Sequence, residues 1–265
     1  MGLHSLSARR VRSVDALAGR RSRLSRMRVR LPDGARTMLH VASHDRRSVA
    51  ARLVVLDEPT PLVRWCEDNE VRDAVVGGFF LRAQAVPLGH LQVGGVLRPS
   101  VAFDSPWGDV RACVHIDDGA LRIAGRDQLD GEVTGDLLQA GPLLVADGHR
   151  VVIDGRDPEG FSAGARQFDS DITVGRYPRA ALATAGNRVL AVACDGRSPR
   201  DAGMTLGELA SALVALGATD ALNLDGGGSA SLVHGGRLRN RPREVDGADL
   251  TEGRPIVTAI AFHER

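Results

Sequence analysis

The hydrophobic pattern is clearest in the C-terminal third of the chain. Arg188–Cys194 (RVLAVAC) is an unbroken apolar run with β-branched content, closed by Asp195-Gly196-Arg197. Its length and composition predict a buried strand. Leu206, Leu209, Ala210, Leu213 and Leu216 then recur at helical spacing, with Gly217 as a stop. Thr205 and Glu208 have the S/T-x-x-E spacing of a capping box, in which hydroxyl and carboxylate satisfy each other's free amides. Thr219–Leu224 (TDALNL) reads as the next strand. Strand, helix and strand predict a right-handed β-α-β unit over 188–225 with two parallel strands. The expected fold class is therefore α/β (α+β), a mixed sheet carrying this unit plus a meander of short strands.

The rest of the chain is less regular. Strand-like runs occur at Met38–Ala42 and Arg52–Leu56, followed by a helix candidate at Pro61–Asp68 and a buried strand at Ala74–Phe80. Residues 85–155 alternate short apolar runs with Gly, Asp and Pro, the pattern of a β meander. The long polar loop Asp154–Val174 holds Arg166, Gln167, Asp169 and Asp171. The two acids alternate with Phe168, Ser170 and Ile172, which would place them on one strand face as alternative carboxylates or oxygen ligands. Ser229–Val233 and Arg237–Asn240 flank Gly235-Gly236 as a hairpin, and Ile256–Phe262 is expected to close the sheet.

Candidate chemistry sits where the two strands end. Asn223-Leu224-Asp225-Gly226-Gly227-Gly228-Ser229 puts a carboxylate at a strand end, then three glycines whose amides can approach a ligand unobstructed. Such amides can form an anion cradle; the alternative is a tight turn capped by Asp225. Strands running in the same direction bring Asp195 and Asp225 to the same sheet edge, where open α/β sheets bind ligands. Paired carboxylates suit glycoside chemistry: about 5 Å between them implies retention, about 6.5–9.5 Å inversion. A turn-forming Asp195-Gly196 is the structural alternative.

The ordered block Asp195-Gly196-Arg197, Gly203-Met204-Thr205-Leu206 and Ala221 to Ser229 resembles the signature of the phosphodiester glycosidase family. Tyr177-Pro178-Arg179-Ala180-Ala181, Gln139 to Leu144 and Gly77-Gly78-Phe79-Phe80 match as well, so the likeness covers about residues 36–265. The resemblance implies cleavage between a sugar's anomeric carbon and a phosphodiester oxygen, on an α/β fold. Carried over, it makes Arg179, Asp195, Arg197, Thr205, Asn223, Asp225 and Ser229 the candidate pocket, with Asp225, Asp195 and Arg179 as catalytic candidates and the rest substrate-binding. Gly226, Gly227 and Gly228, through their amides, and Gly78 join the substrate-binding candidates. Val76 stands where family members usually carry Asn, a departure that bears on which sugar is recognised. The expected partner is a carbohydrate or sugar phosphate; rival readings are a glycosidase on a phosphate-free glycan and a non-catalytic glycan-binding module.

Composition narrows this further. All 34 basic residues are arginine, which excludes a lysine Schiff base and a P-loop lysine. Guanidinium forks suit phosphate, so Arg179 and Arg197 are expected phosphate clamps. A net charge of +1 and few aromatics argue against nucleic acid as a partner. Cys66, Cys113 and Cys194 show no C-x-x-C spacing and read as small buried hydrophobes of a reducing compartment. The eight histidines show no zinc spacing. The expectation is no cofactor and no resident metal, with a divalent cation beside Asp225 as an open alternative. Residues 1–30 carry nine arginines against Asp15 alone, with no apolar h-region behind them. Residues 1–35 are thus expected to be a disordered basic arm and 36–265 the domain. No signal peptide is readable and no transmembrane run occurs; the chain as given carries no export signal, relatives are often exported, and the sequence assigns no localisation.

Overall fold

A computed structural model describes residues 21–129, 133–153, 156–162 and 172–265. The chain opens with β1 (Ser22–Arg30), β2 (Arg36–Asp45), β3 (Val49–Pro61), the short helix α1 (Leu62–Asp68) and β4 (Asp73–Val76). Short strands follow: β5 (Phe80–Leu81), β6 (Val86–Pro87), β7 (Leu91–Val93) and β8 (Val96–Leu97), then the single turn α2 (Trp107–Val110). Next come β9 (Ala112–Asp117), β10 (Ala120–Gly125), β11 (Asp136–Gln139), β12 (Leu143–Ala146) and β13 (His149–Arg150). The C-terminal part holds β14 (Arg179–Ala185), β15 (Arg188–Cys194), α3 (Leu206–Ala215), β16 (Asp220–Asn223), β17 (Leu232–His234), β18 (Arg237–Leu238) and β19 (Pro255–Glu264).

These strands form a seven-stranded sheet, β1-β2-β15-β14-β16-β12-β13, and a five-stranded sheet, β18-β17-β4-β19-β3. A second five-stranded sheet, β10-β9-β11-β7-β8, and the pair β5-β6 complete the set. Every strand pairing within them is antiparallel. The fold is therefore mostly β, and the expected α/β class with a parallel β-α-β unit is not what the chain forms. β15 and β16 do not pair; β14 lies between them and is antiparallel to both. The sequence reading missed β14 because RAALATA is mostly alanine, a weak strand former. Small side chains suit a strand covered on both faces, and every residue of β14 is buried.

Alternation along β15 shows how the layers are built. Val189, Ala191 and Ala193 face the core shared with the five-stranded sheets, beside Val75, Ala259 and Ile260. Leu190, Val192 and Cys194 face the other way, onto Leu206, Leu209, Ala210 and Leu213 of α3. Helix α3 starts as the sequence predicts: Thr205 Oγ1 accepts from the Glu208 amide at 3.1 Å, and the Thr205 amide donates to Glu208 at 2.9 Å. Gly217, with φ of +84°, follows its end.

Other expectations are refined. Ser22–Arg30, assigned by sequence to the basic arm, forms the edge strand β1. β19 does not close its sheet but runs between β4 and β3. Asp169, Asp171, Arg166 and Gln167 lie outside the described residues. Among the described residues, no helix is long and apolar enough to cross a membrane.

Candidate active site

β15 and β16 each run opposite to β14, so both end at the start of β14, where Cys194 faces Arg179 and Asn223 faces Ala181. Asp195 and Asp225 consequently emerge at one sheet edge, with a strand between them and their backbones about two interstrand spacings, roughly 9.6 Å, apart. Their surroundings differ sharply.

Asp225 lies partly exposed at the mouth of the turn. Its amide donates to the Gly77 carbonyl at 3.0 Å, and its Oδ1 accepts from the Gly226 amide at 2.8 Å. Burial pushes the carboxyl up to about 6, against the lowering effects of Ser229, the Gly226 amide, Arg254 and Arg82. Asp195 is only 4% exposed and both oxygens are occupied. Oδ2 sits 3.1 Å from His40 Nε2, and Oδ1 accepts from the Arg241 amide at 2.7 Å. Its backbone carbonyl also accepts from Thr37 Oγ1 at 2.6 Å.

Three of the four amides from Gly226 to Ser229 are engaged within the protein. The Gly226 amide is spent on Asp225, the Gly227 amide on the Pro178 carbonyl at 2.8 Å, and the Ser229 amide on the Gly226 carbonyl at 3.1 Å. Two guanidinium groups instead lie against the turn. A Cβ on Gly227 would fall 3.1 Å from Arg197 Nη2, and one on Gly228 would fall 2.9 Å from Arg254 Nη2. Gly227 also has φ of +60°, which favours glycine independently. The glycines leave room for arginines.

Arg197 is half-buried, and its Nη1 donates to the Arg243 carbonyl at 2.8 Å. Its guanidinium lies 5.9 Å from the centre of the Tyr177 ring. Burial first, then the charge of Arg254, lowers its proton affinity below the ordinary arginine value. Arg254 pairs with Glu244 through Nε at 3.1 Å and a short contact from Nη2. Arg82 contributes charge to the same surroundings, acting on Asp225, Arg197 and Glu244. Sequence reasoning named Arg197 but missed Arg82, Arg254 and Glu244. No pattern marks the latter two, since they reach the site through a loop after β18.

The other candidates are placed as follows. Arg179 is 3% exposed and directs Nε to the Met204 carbonyl at 3.0 Å and Nη2 to the Gly175 carbonyl at 3.3 Å. Thr205 is the cap of α3. Asn223 is buried, with Nδ2 donating to the Gly141 and Leu224 carbonyls, each at 2.9 Å. Ser229 is buried near Asp225, where its side chain favours the ionised carboxyl. Gly78 donates its amide to Thr258 Oγ1 at 3.1 Å. At its neighbour Gly77 a Cβ would stand 2.4 Å from that same oxygen, so β4 passes β19 too closely for a side chain. Val76 is fully buried in the core between the sheets. The three cysteines are free and buried, and burial pushes each thiol up to about 12. Among the described residues, no group of three or more His, Cys, Asp or Glu side chains is placed to hold a metal ion. A cavity of about 480 Å³ touches Thr205 and Glu159 but none of Asp225, Arg197 and Arg254.

A partly sheltered carboxylic acid among arginines matches the signature residues, and a family model decides the matter. The model for phosphodiester glycosidases matches residues 69–263. The chain belongs to the phosphodiester glycosidase family. Its structure is similar to the zebrafish N-acetylglucosamine-1-phosphodiester alpha-N-acetylglucosaminidase catalytic domain, a structure described as auto-inhibited by its pro-peptide. That likeness has a TM-score of 0.69 at 21% identity, over 92% of this chain and 83% of the other. A hypothetical protein from Synechocystis is similar with a TM-score of 0.64 at 19% identity. There 92% of this chain is covered, and the chain spans only 62% of the Synechocystis protein's length. At such identities the likeness speaks for the phosphodiester glycosidase fold alone. No curated protein matches the chain.

Proposed function

We propose that this phosphodiester glycosidase family member hydrolyses a glycosyl phosphodiester, with Asp225 as general acid. The observation that carries this reading is a carboxyl raised to about 6 under the charges of Arg254 and Arg82, on a turn against which the guanidinium groups of Arg197 and Arg254 lie. A carboxylic acid with proton affinity near the working pH can protonate a leaving oxygen efficiently. Among the described residues, Arg197 leaves Nε and Nη2 without hydrogen-bond partners, donors suited to phosphate oxygens. The Gly226 amide orients the acid through its hydrogen bond to Oδ1.

Asp195 then has a supporting role. With one oxygen on His40 and the other on the Arg241 amide, it ties the end of β15 to β2 and to the loop that brings Arg243 over the site. Arg179 likewise fixes the segment before α3 rather than meeting phosphate. Glu244 is the second carboxylate of the site. Its pairing with Arg254 holds it below the ordinary glutamate range, so the two acids have opposite tendencies. That division is the usual mark of separate acid and anionic roles.

The test pairs α-linked sugar-1-phosphodiesters with the matching aryl glycosides. Release of sugar from the phosphodiesters alone, lost in Asp225→Asn, is the expected result. Preference for the aryl glycosides would move the reading to a phosphate-free glycan, and saturable binding without turnover would move it to a binding module.

A further inference from the structure

The segment after β18 folds back over the triglycine turn and holds both of its guanidinium groups. The Arg243 carbonyl accepts from Arg197, and Arg243 Nη1 reaches the Gly196 carbonyl at 3.2 Å. The Arg254 amide donates to the Gly228 carbonyl at 3.1 Å, fixing the base of that arginine to the turn. The loop is internally braced: the Glu244 amide donates to the Ala248 carbonyl and the Gly247 amide to the Glu244 carbonyl, each at 3.0 Å. Glu244 is thus presented on a closed loop, and its carboxylate takes Nε and Nη2 of Arg254. Among the described residues, Nη1 of Arg254 has no hydrogen-bond partner.

We propose that Arg254 is an anion-binding residue of the site and that Glu244 is its positioning residue, setting both where the guanidinium stands and how strongly it acts on Asp225. This rests on the reading of Asp225 as the acid. Asp225 feels the charges of Arg254 and Arg82, and Glu244 those of Arg254, Arg82 and Arg197, with Ser229 near Asp225 and Tyr177 beside Arg197. An unaccompanied Arg254 would favour the ionised form of Asp225 and strip the acid of its proton. Glu244 offsets that charge while the guanidinium keeps a free edge for an incoming phosphate oxygen. A side chain on Gly228 would displace the arginine, which explains the glycine without invoking its amide.

The test uses the full chain as wild type, Glu244→Gln, Arg254→Met and Arg254→Lys. The Asp225 carboxyl is titrated by carbon-13 NMR, and binding of inorganic phosphate is measured by calorimetry. Neither readout needs turnover, so a wrong substrate class and a wrong role for the pair give different results. The expected result is a lower Asp225 midpoint in Glu244→Gln and a higher one in Arg254→Met. Phosphate binding should weaken by about tenfold or more in Arg254→Met and recover in part in Arg254→Lys. The milder Arg254→Lys and Glu244→Gln variants keep the test valid should Arg254→Met fold poorly: in Glu244→Gln the shift must still appear. Unmoved midpoints, or unchanged phosphate affinity in a folded Arg254→Met, would overturn the proposal.

Discussion

At the scale of single residues, the chemistry depends on Asp225 holding a proton that an ordinary aspartate has lost. Burial pushes the native carboxyl up to about 6, from the usual 3.8. Between those values the native state binds more protons than the unfolded chain. The contribution to stability is therefore present below about pH 4 and lost as pH rises through 6. Two outcomes are expected. Asp225→Asn abolishes turnover, yet at pH 7.5 the variant melts no lower than wild type, because a carboxylate costly to shelter has gone. In wild type, kcat/KM falls above about pH 6 as the acid ionises, readable from a pH–rate profile. Gly227→Ala tests the seat for Arg197. A non-glycine residue at φ of +60° costs about 1–2 kcal/mol, and its Cβ crowds the guanidinium. A lower melting temperature with a raised KM is the expected pair of results.

At the scale of elements, the legible parts of the sequence were those with strong local signals. The capping box at Thr205 and Glu208 and the apolar stripe of α3 gave the helix almost to the residue. Thr205 also appeared among the substrate-binding candidates, but its hydroxyl is engaged with the Glu208 amide. Thr205→Ala should cost about 1 kcal/mol of stability through the lost cap and leave KM unchanged, while Thr205→Ser keeps both. A KM raised by Thr205→Ala would return the residue to the site. The sequence misled where a segment lacked a signal of its own. β14 is alanine-rich, and without it β15 and β16 look like parallel neighbours. Inserting it makes all pairing antiparallel, yet leaves the two strand ends on one edge. That the two strands end on one sheet edge could be read while the sheet could not. Arg254 and Glu244 carried no local signature, and only the return of the chain after β18 brings them to Asp225.

At the scale of the whole molecule, the two principal sheets must stay in register for β4 and β17 to support the turn at Asp225. Part of that interface is His44 of β2, stacked at 4.0 Å on Phe262 of β19. Burial lowers its proton affinity from 6.5 to about 4, with Asp73 opposing and His234 and Arg188 adding to the shift. Here the unfolded chain binds the extra proton, so stability is lost as pH falls from about 6.5 to 4. A His44→Phe variant should gain on wild type across that range, by up to about 3 kcal/mol at its acid end, in denaturant melts at successive pH values. A difference independent of pH would show that His44 is not held neutral between the sheets.

The most direct test of the central claim is the rate of sugar release from an α-linked sugar-1-phosphodiester, followed from pH 4.5 to 8 in wild type and Asp225→Asn. Wild type should turn over at a rate that declines above about pH 6, and the variant should show no turnover at any pH. Turnover by Asp225→Asn, or a wild-type rate that climbs steadily with pH, would contradict that claim.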